Sequence, residues 1–373
     1  MTSRIPRILH VTHEMAFGGT QQVISQLVTN LDCERFICEI ACIDGEVGAL
    51  GERLQSNGTN FHVFHRGSGF DFALVMAVRK LLIDGKYDIV HCHQYTPYVY
   101  GIFASAFTGV KVVFTEHGRF YPDRYSWKRR LVNPVLGKLT DSIVAISVAT
   151  RSALAYYEWF SEKQIKVIYN GLIPFSASDD LGYWREQFGV PEGVLVFGTI
   201  ARFDPIKNIP MMINGFKQVY DRNPKTRLLL VGDGTERPML QNLACKAGIE
   251  DVVIFTGFQR DTAKLMSLID VYLLSSFSEG TSMTLLEAMS SGTCSIVTGV
   301  GGNVELIEHE ISGVIVDSED TSALASSMED LAANSDKRRT LGNEASKVFN
   351  THFSIGSMID AYSRTYEKVL GFS

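Results

Sequence analysis

Short apolar runs alternate with amphipathic stretches along the first half of the chain. Arg7 to Val11 is apolar enough for a buried strand, and Gln21 to Leu31 repeats apolar residues at helical spacing. Further predicted strands are Phe36 to Cys42, Phe61 to Phe64, Ile89 to His91, Val112 to Thr115 and Ser142 to Ile146, and further predicted helices include Phe72 to Asp84 and Thr150 to Tyr157. Repeated strand–helix units predict a parallel sheet that is covered on both faces.

The alternation stops at Asn170-Gly171 and at a polar linker from Pro174 to Asp180, and then begins again. Predicted strands of the second half are Val194 to Ile200, Arg227 to Val231, Val252 to Phe255, Val271 to Leu274, Ser295 to Val297 and Val314 to Val316, with helices at Ile209 to Val219 and Pro238 to Ala247. A last amphipathic helix, Ile355 to Leu370, has no strand after it. We therefore predict two doubly wound α/β domains, residues 1–172 and 190–354. Ligands of such sheets bind beyond the carboxyl ends of the strands, and two facing halves place the deepest cleft between the domains.

Composition and charge narrow the class of protein. The 373 residues are 45% hydrophobic and 20% charged, which suits two globular domains. The net charge of −6 argues against a nucleic-acid-binding protein. Residues 1–170 carry a net charge of +3, and the remaining residues carry a net charge of −9. The positive first half suits an anionic acceptor or a membrane surface. The alternative is that the asymmetry is chance. Six cysteines without a CxxC pair fit a reducing cytoplasm. The sequence shows neither the apolar core of a signal peptide nor an apolar run of about 18 residues, so any membrane contact is expected to be peripheral.

The most informative stretch is Ser278 to Met289 (SEGTSMTLLEAM), which follows a predicted strand and opens a helix. A helix start with small residues offers backbone N–H groups and a partial positive charge to a phosphate. The residues expected there are Gly280, Thr281, Ser282, Met283 and Thr284. Glu279 and Glu287 would repel a phosphate, so they are better explained as acceptors for sugar or ribose hydroxyls. The alternative is that Glu279 only caps the helix and that Glu287 is a solvated helix residue.

A second stretch, Gly198 to Asn208 (GTIARFDPIKN), ends a strand and precedes a helix. Arg202 offers a bidentate fork and Lys207 a compact charge, and both can converge on one anion. Together they would neutralise a diphosphate leaving group. The alternative is two ordinary surface cations on a loop.

Two strand-end loops of the first half are also candidates. Gly18 and Gly19 let the backbone approach a ligand closely. They are not part of a GxGxxG motif, which argues against a nicotinamide dinucleotide site. His117, in Thr115 to Arg119 (TEHGR), can hydrogen-bond a sugar or take part in proton transfer, unless its role is structural.

Three other features are weaker. His91 and His93 resemble a metal pair because strand alternation points both to one face, but no acidic partner is near, and we predict no metal site. The strand-end turns at Gly232 and Phe258 are candidates for contact with a nucleotide and its base. A plain connecting turn is the alternative at both positions.

In this order, the motifs resemble family 4 of the retaining glycosyltransferases with the GT-B fold, over nearly the whole chain. Glu279 and Glu287 match the family's E-x7-E signature. The stretches Ala201-Arg202-Phe203 and Lys207-Asn208 are similar to its GRL…KG, with Ala201 and Asn208 in place of glycines. Other matches are Val231 to Gly234 (VGDG) and Asn170-Gly171. The stretches around His91 to Pro97 and around His117 are similar to bacterial exopolysaccharide-type members.

The resemblance implies two facing Rossmann-like domains, with the helix 355–373 crossing back onto the N-terminal one. It implies that Arg202 and Lys207 hold the donor diphosphate, that Glu279 contacts the donor sugar and that Glu287 contacts the ribose. His117 would face the transferred sugar, and Gly18-Gly19 would lie near the phosphate and the acceptor. Such enzymes generally need no metal or other cofactor, and a UDP-sugar is the first candidate donor.

The expected reaction moves a hexose or N-acetylhexosamine from a nucleotide diphosphate sugar to a glycan, lipid-linked or small-molecule acceptor. One well-placed donor to the developing phosphate charge supplies about 3–4 kcal/mol. A front-face mechanism, in which the leaving phosphate takes the acceptor proton, suits retention without an evident nucleophile. The alternatives are a nucleotide-sugar epimerase of GT-B architecture and a non-catalytic nucleotide-sugar-binding subunit, and the intact Glu279, Glu287, Arg202 and Lys207 argue against the latter.

Cations and aromatic residues interleave from Arg119 to Leu131 (RFYPDRYSWKRRL), as they do on interfacial segments. We predict a cytoplasmic protein with peripheral contact at the inner face of the membrane. The alternative is an ordinary exposed loop and helix start.

Overall fold

Alternating short strands and longer helices build two separate parallel sheets. The structure is a computed structural model and describes residues 4–118, 126–174 and 181–372. The chain divides into a first unit, residues 1–171 with 355–373, and a second unit, residues 172–354. The expected linker from Pro174 to Asp180 lies outside the described residues after position 174.

The first unit contains seven parallel strands. They are β1 (Arg7–Thr12), β2 (Ile37–Cys42), β3 (Phe61–Val63), β4 (Ile89–His93), β5 (Lys111–Glu116), β6 (Ser142–Ala145) and β7 (Ile165–Val167), with helices α1 (Gly19–Asn30), α2 (Ala49–Ser56), α3 (Phe72–Asp84), α4 (Tyr95–Ser105), α5 (Trp127–Leu139) and α6 (Val148–Glu158) between them. The sheet order is β3-β2-β1-β4-β5-β6-β7. Successive strands are therefore added on one side of β1 up to β3 and on its other side from β4 onward, so the winding of the sheet reverses between β1 and β4.

The second unit repeats this plan with six parallel strands. The elements are α7 (Leu181–Gln187), β8 (Leu195–Ile200), α8 (Ile209–Arg222), β9 (Thr226–Val231), α9 (Arg237–Lys246), β10 (Val253–Gly257), α10 (Thr262–Met266), β11 (Val271–Leu274), α11 (Met283–Ser290), β12 (Cys294–Thr298), α12 (Asn303–Leu306), β13 (Val314–Val316), α13 (Thr321–Ala333) and α14 (Ser335–His352). The sheet order is β10-β9-β8-β11-β12-β13, with the reversal between β8 and β11.

The last helix, α15 (Ile355–Leu370), belongs to the first unit. Its Tyr362 and Tyr366 are buried, and the Tyr366 hydroxyl lies 2.7 Å from His91 Nδ1 on β4. Burial of two tyrosines against one face of the sheet anchors this helix, because large aromatic side chains bury much apolar area.

Alternation along the strands separates the two faces of the first sheet. The side chains on one face, which include Leu9 and Phe114, pack in a single apolar core with Leu74 of α3, Ile102 of α4 and Leu136 of α5. The helices α3, α4 and α5 therefore cover the same face of the sheet. In the second unit, one apolar core includes residues of all six strands and of α8, α9, α13 and α14.

The structure confirms the predicted doubly wound α/β architecture, including the bounds of Phe72–Asp84, Val271–Leu274 and Ile355–Leu370. It adds strand β7 (Ile165–Val167), which pairs with β6. The hydrophobic pattern did not predict this strand because it is only three residues long. The structure also extends β4 beyond the predicted end at His91 to His93. Three polar or weakly apolar residues, His91, Cys92 and His93, are fully buried there, and hydropathy alone does not mark such a segment as a strand.

Candidate active site

The loops after β8 and β11 lie at the point where the second sheet reverses its winding. In open α/β sheets, a crevice forms at such a point because neighbouring loops leave in opposite directions. The loop after β8 carries Arg202 and Lys207, and the loop after β11 carries Glu279. Two of the predicted stretches are therefore neighbours at one edge of the sheet.

Lys207 and Glu279 form an ion pair between these two loops. Lys207 Nζ donates to Glu279 Oε1 over 2.6 Å, and Ser276 Oγ donates to the same oxygen over 2.6 Å. The Glu279 side chain is 9% exposed and the Lys207 side chain 23%. The pair places a largely desolvated cation and a hydrogen-bond acceptor side by side.

The main chain holds the Lys207 loop against the end of β11. Ser275 Oγ donates to the Lys207 carbonyl over 2.9 Å, and the Phe277 amide donates to the Ile206 carbonyl over 2.8 Å. Asn208 then takes the left-handed conformation, with φ 46° and ψ 44°, before α8 begins. Asparagine tolerates this region better than most residues, which explains how Asn208 stands where the family pattern has glycine.

A glycine-led turn after β12 supports the Glu279 loop. The Gly302 amide donates to the Glu279 carbonyl over 3.1 Å. Gly301 has φ +52°, and a Cβ on it would lie 2.0 Å from the Glu279 carbonyl oxygen. Only glycine fits this close approach, so Gly301 fixes the position of the Glu279 main chain.

The loops after β9 and β10 complete this edge of the sheet. Gly232 has φ +133°, and a Cβ on it would lie 1.9 Å from the Ala201 carbonyl oxygen. The Phe203 amide donates to the Asp233 carbonyl over 2.8 Å, and the Gly232 amide donates to the Gly257 carbonyl over 3.1 Å. Gly232 thus packs the main chain of its turn directly against the loop that carries Arg202.

The helix α11 begins directly after the Glu279 loop. Ser282 is its N-cap, and its Oγ accepts from the Leu285 amide over 3.4 Å. The cap is therefore Ser282, and the alternative in which Glu279 caps the helix is wrong. Thr284 Oγ1 lies 2.7 Å from the hydroxyl of the buried Tyr272. Glu287 is 8% exposed, so the alternative of a solvated helix residue is also wrong.

Arg202 and Phe258 are more exposed than the groups around Glu279. The Arg202 side chain is 76% exposed, and its Nε donates to Asp204 Oδ2. Phe258 is 55% exposed. Arg202 and Lys207 each pair with a different carboxylate, so a diphosphate would have to compete with Asp204 and Glu279 for them.

In the first unit, Gly18 and Gly19 lie at the start of α1. Gly18 is the N-cap residue in an extended conformation, and a Cβ on it would lie 2.5 Å from Gln21 Oε1. Gly19 is the first residue of the helix. These glycines follow β1, whose carboxyl end adjoins the point where the first sheet reverses its winding.

His117 follows β5 and lies at the end of a line of imidazoles whose other two members, His93 and His10, are fully buried. Its Nε2 lies 2.9 Å from His93 Nδ1, and His93 Nε2 lies 3.0 Å from His10 Nδ1. Burial lowers the pKa of His10 and of His117 to about 3. These imidazoles are therefore neutral near pH 7.

The carboxyl group of Glu116, next to His117 in the chain, is also buried. Burial raises its pKa to about 8, although its Oε1 accepts from the His117 amide over 3.0 Å. Desolvation of the charged form outweighs this hydrogen bond, so Glu116 is largely protonated near pH 7.

His10, His91 and His93 offer three nitrogens that lie within 4.8 Å of one another. The expectation that His91 and His93 share a face is confirmed, since their ring centroids are 4.1 Å apart. Both nitrogens of His91 contact hydroxyl groups, at 2.7 Å from Tyr366 and 2.8 Å from Thr115. A metal would have to displace these contacts, and the absence of a metal site stays a prediction.

Sequence reasoning missed His10, Glu116, Ser276 and Gly301. His10 is the single polar residue among buried neighbours in the middle of β1, and its place opposite His91 follows from the pairing register of β1 with β4. Such a buried polar position is a usable signal only when its strand partner is known.

Two family models match the chain. One is described as "Glycosyltransferase Family 4" and matches residues 17–174, and the other as "Glycosyl transferases group 1" and matches residues 183–348. Together they cover more than four-fifths of the chain. The chain therefore belongs to family 4 of the glycosyltransferases, and it is a glycosyltransferase.

Curated relatives agree with this assignment. An N-acetyl-alpha-D-glucosaminyl L-malate synthase of Bacillus anthracis is 27% identical over 81% of this chain and 80% of its own length. An Escherichia coli UDP-Gal:alpha-D-GlcNAc-diphosphoundecaprenol alpha-1,3-galactosyltransferase is 27% identical over 84% of both chains. Both names are those of glycosyl-transferring enzymes.

Solved structures show the same fold. A glycosyltransferase from Rickettsia africae superposes with a TM-score of 0.88 at 20% identity, over 99% of this chain and 100% of the other. HepE of Anabaena, in complex with UDP, superposes with a TM-score of 0.87 at 23% identity, over 97% of this chain and 100% of the other. The fold of this chain is thus GT-B.

Proposed function

We propose that this glycosyltransferase retains the anomeric configuration and moves a hexose or N-acetylhexosamine from a UDP-sugar to a lipid-linked glycan acceptor. The observation that carries the proposal is the Lys207–Glu279 pair at 2.6 Å, one short loop before the N-terminus of α11. The pair supplies a cation that can bind a phosphate and a carboxylate that can accept hydrogen bonds from sugar hydroxyls.

Charge on the leaving group is the main problem of this reaction. The bond between the anomeric carbon and the diphosphate oxygen breaks, and negative charge grows on that oxygen. Lys207, Arg202 and the first amide groups of α11 would stabilise this charge, because the first N–H groups of a helix lack partners within the helix. Groups that are fixed before the reaction stabilise it without reorganisation.

Retention requires that the acceptor oxygen attacks the face from which the diphosphate leaves. A front-face mechanism meets this requirement, because the departing phosphate oxygen takes the proton of the acceptor hydroxyl as the new bond forms. Glu279 would hold a sugar hydroxyl while Lys207 turns toward the phosphate. Glu287, buried on α11, would take the ribose hydroxyls.

The choice of UDP is supported by similar proteins. HepE of Anabaena was solved with UDP and with UDP-glucose, and the Escherichia coli relative is named for UDP-Gal and a diphosphoundecaprenol acceptor. We extend UDP and a lipid-linked acceptor to this chain. Because Lys207, Arg202 and α11 would neutralise the diphosphate, we further propose that transfer needs no metal ion.

A donor screen followed by product analysis tests the proposal. The purified chain is mixed with UDP-, GDP- or ADP-sugars, and a bound donor raises Tm because it binds only the native state. NMR of the product then gives the anomeric configuration, with and without EDTA. We expect UDP-sugars to give the largest shift and a retained product that EDTA does not affect. An inverted product, or an epimerised donor formed without acceptor, would refute the proposal.

The outer surface of α5 supports a lipid-linked acceptor. Asn133, Leu136 and Gly137 face inward, whereas apolar side chains four residues apart point outward. The outward stripe is Trp127, Leu131, Val135 and Leu139, which are 72%, 66%, 57% and 64% exposed. An exposed apolar stripe of this length is typical of an interaction surface.

Charge around this stripe favours an anionic lipid surface. Lys128, Arg130 and Lys138 lie on the same helix and are exposed, and the helix contains no acidic residue. Phe72 on α3 and Phe107 in the loop after α4 are also exposed, and α3 and α4 cover the same face of the sheet as α5. We propose that this surface docks peripherally on the inner face of the membrane.

Among the described residues, none of the helices is both long and apolar enough to cross a membrane. The first part of the predicted interfacial segment, Arg119 to Tyr125, lies outside the described residues, and its remainder forms the start of α5.

A further inference from the structure

Gln94 has an unusual main-chain conformation at the carboxyl end of β4. It follows His93, the last residue of that strand, and has φ 70° and ψ 165°. This combination is essentially restricted to glycine, so a residue with a side chain is strained there. Such strain persists only where the surrounding structure imposes it, and it is concentrated at sites that bind ligands or react.

Hydrogen bonds of the main chain impose this conformation. The Gln94 amide donates to the Thr115 carbonyl on β5 over 2.9 Å, and the Gln94 carbonyl accepts from the Tyr98 amide on α4 over 3.1 Å. The chain therefore ends a strand and starts a helix at a single residue. Both main-chain groups of that residue are satisfied whichever side chain it carries.

Stability alone would favour a different residue at position 94. Glycine adopts a positive φ without strain. The position is also the N-cap of α4, where serine, threonine, aspartate and asparagine are preferred because their short side chains accept from the first helical amides. The Gln94 carboxamide does not cap the helix, and it has no hydrogen bond to another residue that the structure describes. Glutamine therefore neither relieves the strain nor caps the helix.

The place of Gln94 in the sheet indicates a ligand. The winding of the first sheet reverses between β1 and β4, and ligands of open α/β sheets bind at such a reversal, beyond the carboxyl ends of the strands. Gln94 is half-buried there, and neither polar atom of its unpaired carboxamide is fully enclosed. A ligand can therefore reach the carboxamide.

Charges around this reversal favour an uncharged ligand with hydroxyl groups. The pairing register of β1 with β4 sets Gln94 level with His13, the first residue after β1. His13 Nδ1 lies 2.8 Å from Asp44 Oδ2, and Arg66 Nε donates to Asp44 Oδ1 over 2.9 Å. Asp44 thus balances the charge of Arg66, which argues against a phosphate at this place.

The chemistry of a carboxamide suits a sugar ring. It presents an N–H donor and a C=O acceptor side by side, so it can bind two neighbouring hydroxyl groups at once. The proposed donor site uses loops of the second unit, around Lys207 and Glu279. The corresponding edge of the first unit is therefore available to the acceptor.

We propose that Gln94 is a specificity-determining residue that binds two neighbouring hydroxyl groups of the acceptor sugar, held in place by its strained main chain. That this ligand is the acceptor rests on the proposed function, whereas binding of a sugar at Gln94 does not. A site built to bind a hydroxyl group rejects an analogue that lacks it, so Gln94 selects among acceptors and does not affect binding of the donor.

Two variants separate the carboxamide from the strain. Gln94→Met keeps the length of the side chain and the strained φ but removes the carboxamide, and Gln94→Gly removes both. The substrates are UDP-galactose and GlcNAc-diphosphoundecaprenol, which occur in the name of the Escherichia coli relative. We expect both variants to lower kcat/KM for the acceptor at least roughly tenfold, because two hydrogen bonds are lost. Gln94→Gly should also raise Tm by roughly 2–4 °C. UDP affinity, measured by calorimetry, should not change in either.

Lys86 and Gln55 provide matched controls in the first unit. Lys86 has φ 51° and precedes β4 at the opposite end of this strand, so Lys86→Gly should leave transfer unchanged and should not lower Tm. Gln55→Met, at an exposed position of α2, should affect neither. Normal acceptor kcat/KM in Gln94→Met would overturn the proposal. A lower Tm in Gln94→Gly would also overturn it, because Gln94 would then serve stability.

A binding experiment tests the contact without turnover. The side-chain amide signals of Gln94 in a chain labelled with ¹⁵N-glutamine are assigned by their loss in Gln94→Met. They are followed in the presence of UDP while methyl glycosides of N-acetylglucosamine, glucose or galactose are added. We expect at least one glycoside to shift these signals, and its analogue without one of the two hydroxyl groups to shift them much less. No shift with any glycoside would overturn the proposal, and a shift with UDP alone would assign Gln94 to the donor instead.

The two proposals fail in different ways. A sugar bound at Gln94 in a chain that transfers no sugar would refute the proposed function and leave this contact standing. Normal transfer by a chain whose Gln94 signals do not respond to any glycoside would do the reverse.

Discussion

Lys207 Nζ donates to Glu279 Oε1 over 2.6 Å, which joins two residues that are 72 positions apart in the sequence. The pair is held by neighbouring loops of one sheet and is largely shielded from water. It links the two strongest sequence motifs to one structural feature, and it is the first target for mutation.

Lys207→Met should lower kcat by roughly 100- to 1,000-fold, because a preorganised donor to the developing phosphate charge is lost. It should also lower Tm, because Glu279 loses its partner while still buried. The double variant Lys207→Met/Glu279→Gln should recover Tm, since removing both members of a pair is nearly neutral, but not turnover. Lys217→Ala breaks an exposed pair with Asp221 and serves as the control. Near-normal turnover of Lys207→Met would remove Lys207 from the diphosphate site.

Gly301→Ala should damage both stability and turnover. The new methyl group would lie 2.0 Å from the Glu279 carbonyl oxygen, so the Glu279 loop must move. We expect a loss of roughly 2–3 kcal/mol in the free energy of unfolding. Gly292→Ala is a matched control with φ +71° and no atom closer than 3.7 Å, and it should cost about 1 kcal/mol without affecting turnover. Equal turnover in the two variants would show that the close contact at Gly301 does not position Glu279.

Asn208→Gly should keep turnover and stability within about 1 kcal/mol of the wild type, because glycine adopts φ 46° without strain. Asn208→Val should lose at least roughly 1–2 kcal/mol, because a β-branched residue is disfavoured there. Urea unfolding of both variants measures the difference. If Asn208→Gly instead weakens UDP binding, then the amide side chain contacts the donor and is more than a substitute for glycine.

The pH dependence of stability should report Glu116. Its pKa is about 8 in the folded chain and near 4.5 when exposed, so the folded state holds a proton that the unfolded state releases. Stability from this group is present below pH 4.5 and is lost as pH rises to 8, by up to about 1.4 kcal/mol per pH unit. The histidines His10, His91, His93 and His117, whose pKa values burial lowers from 6.5, act mainly below pH 6.5 with the opposite sign.

Between pH 6.5 and 8 the contribution of Glu116 therefore overlaps least with that of the histidines, and Glu116→Gln should flatten the fall of Tm there. The exposed Glu52→Gln is the control and should follow the wild type. Parallel curves for Glu116→Gln and the wild type would mean that this carboxyl is ionised in the folded chain at neutral pH.

The α5 surface should bind anionic vesicles. Leu131→Glu/Val135→Glu is expected to weaken co-sedimentation with phosphatidylglycerol-containing liposomes at least about tenfold, because two exposed apolar side chains no longer enter the lipid interface. Met239→Glu, at an exposed apolar position on α9 in the second unit, should have no effect. Binding that does not depend on anionic lipid, or that survives the double change, would exclude α5 as the docking surface.

The sequence alone determined the doubly wound architecture, most strand positions and the family. These features are encoded locally, because hydrophobic periodicity sets each element and short motifs such as Ser278 to Met289 keep their residues at fixed spacing. Arg202, Lys207 and Glu279 lie in loops that follow predicted strands, and Glu287 lies on the helix predicted after the second of these loops.

Tertiary structure alone decided which of these residues meet. The Lys207–Glu279 pair and the fit of Gly301 against Glu279 depend on the order of β8, β11 and β12 in the sheet. The line from His10 to His117 depends on the register between β1 and β4. Strand order and register bring together residues far apart in the chain, and no periodicity within a single segment records which distant strand will be its neighbour.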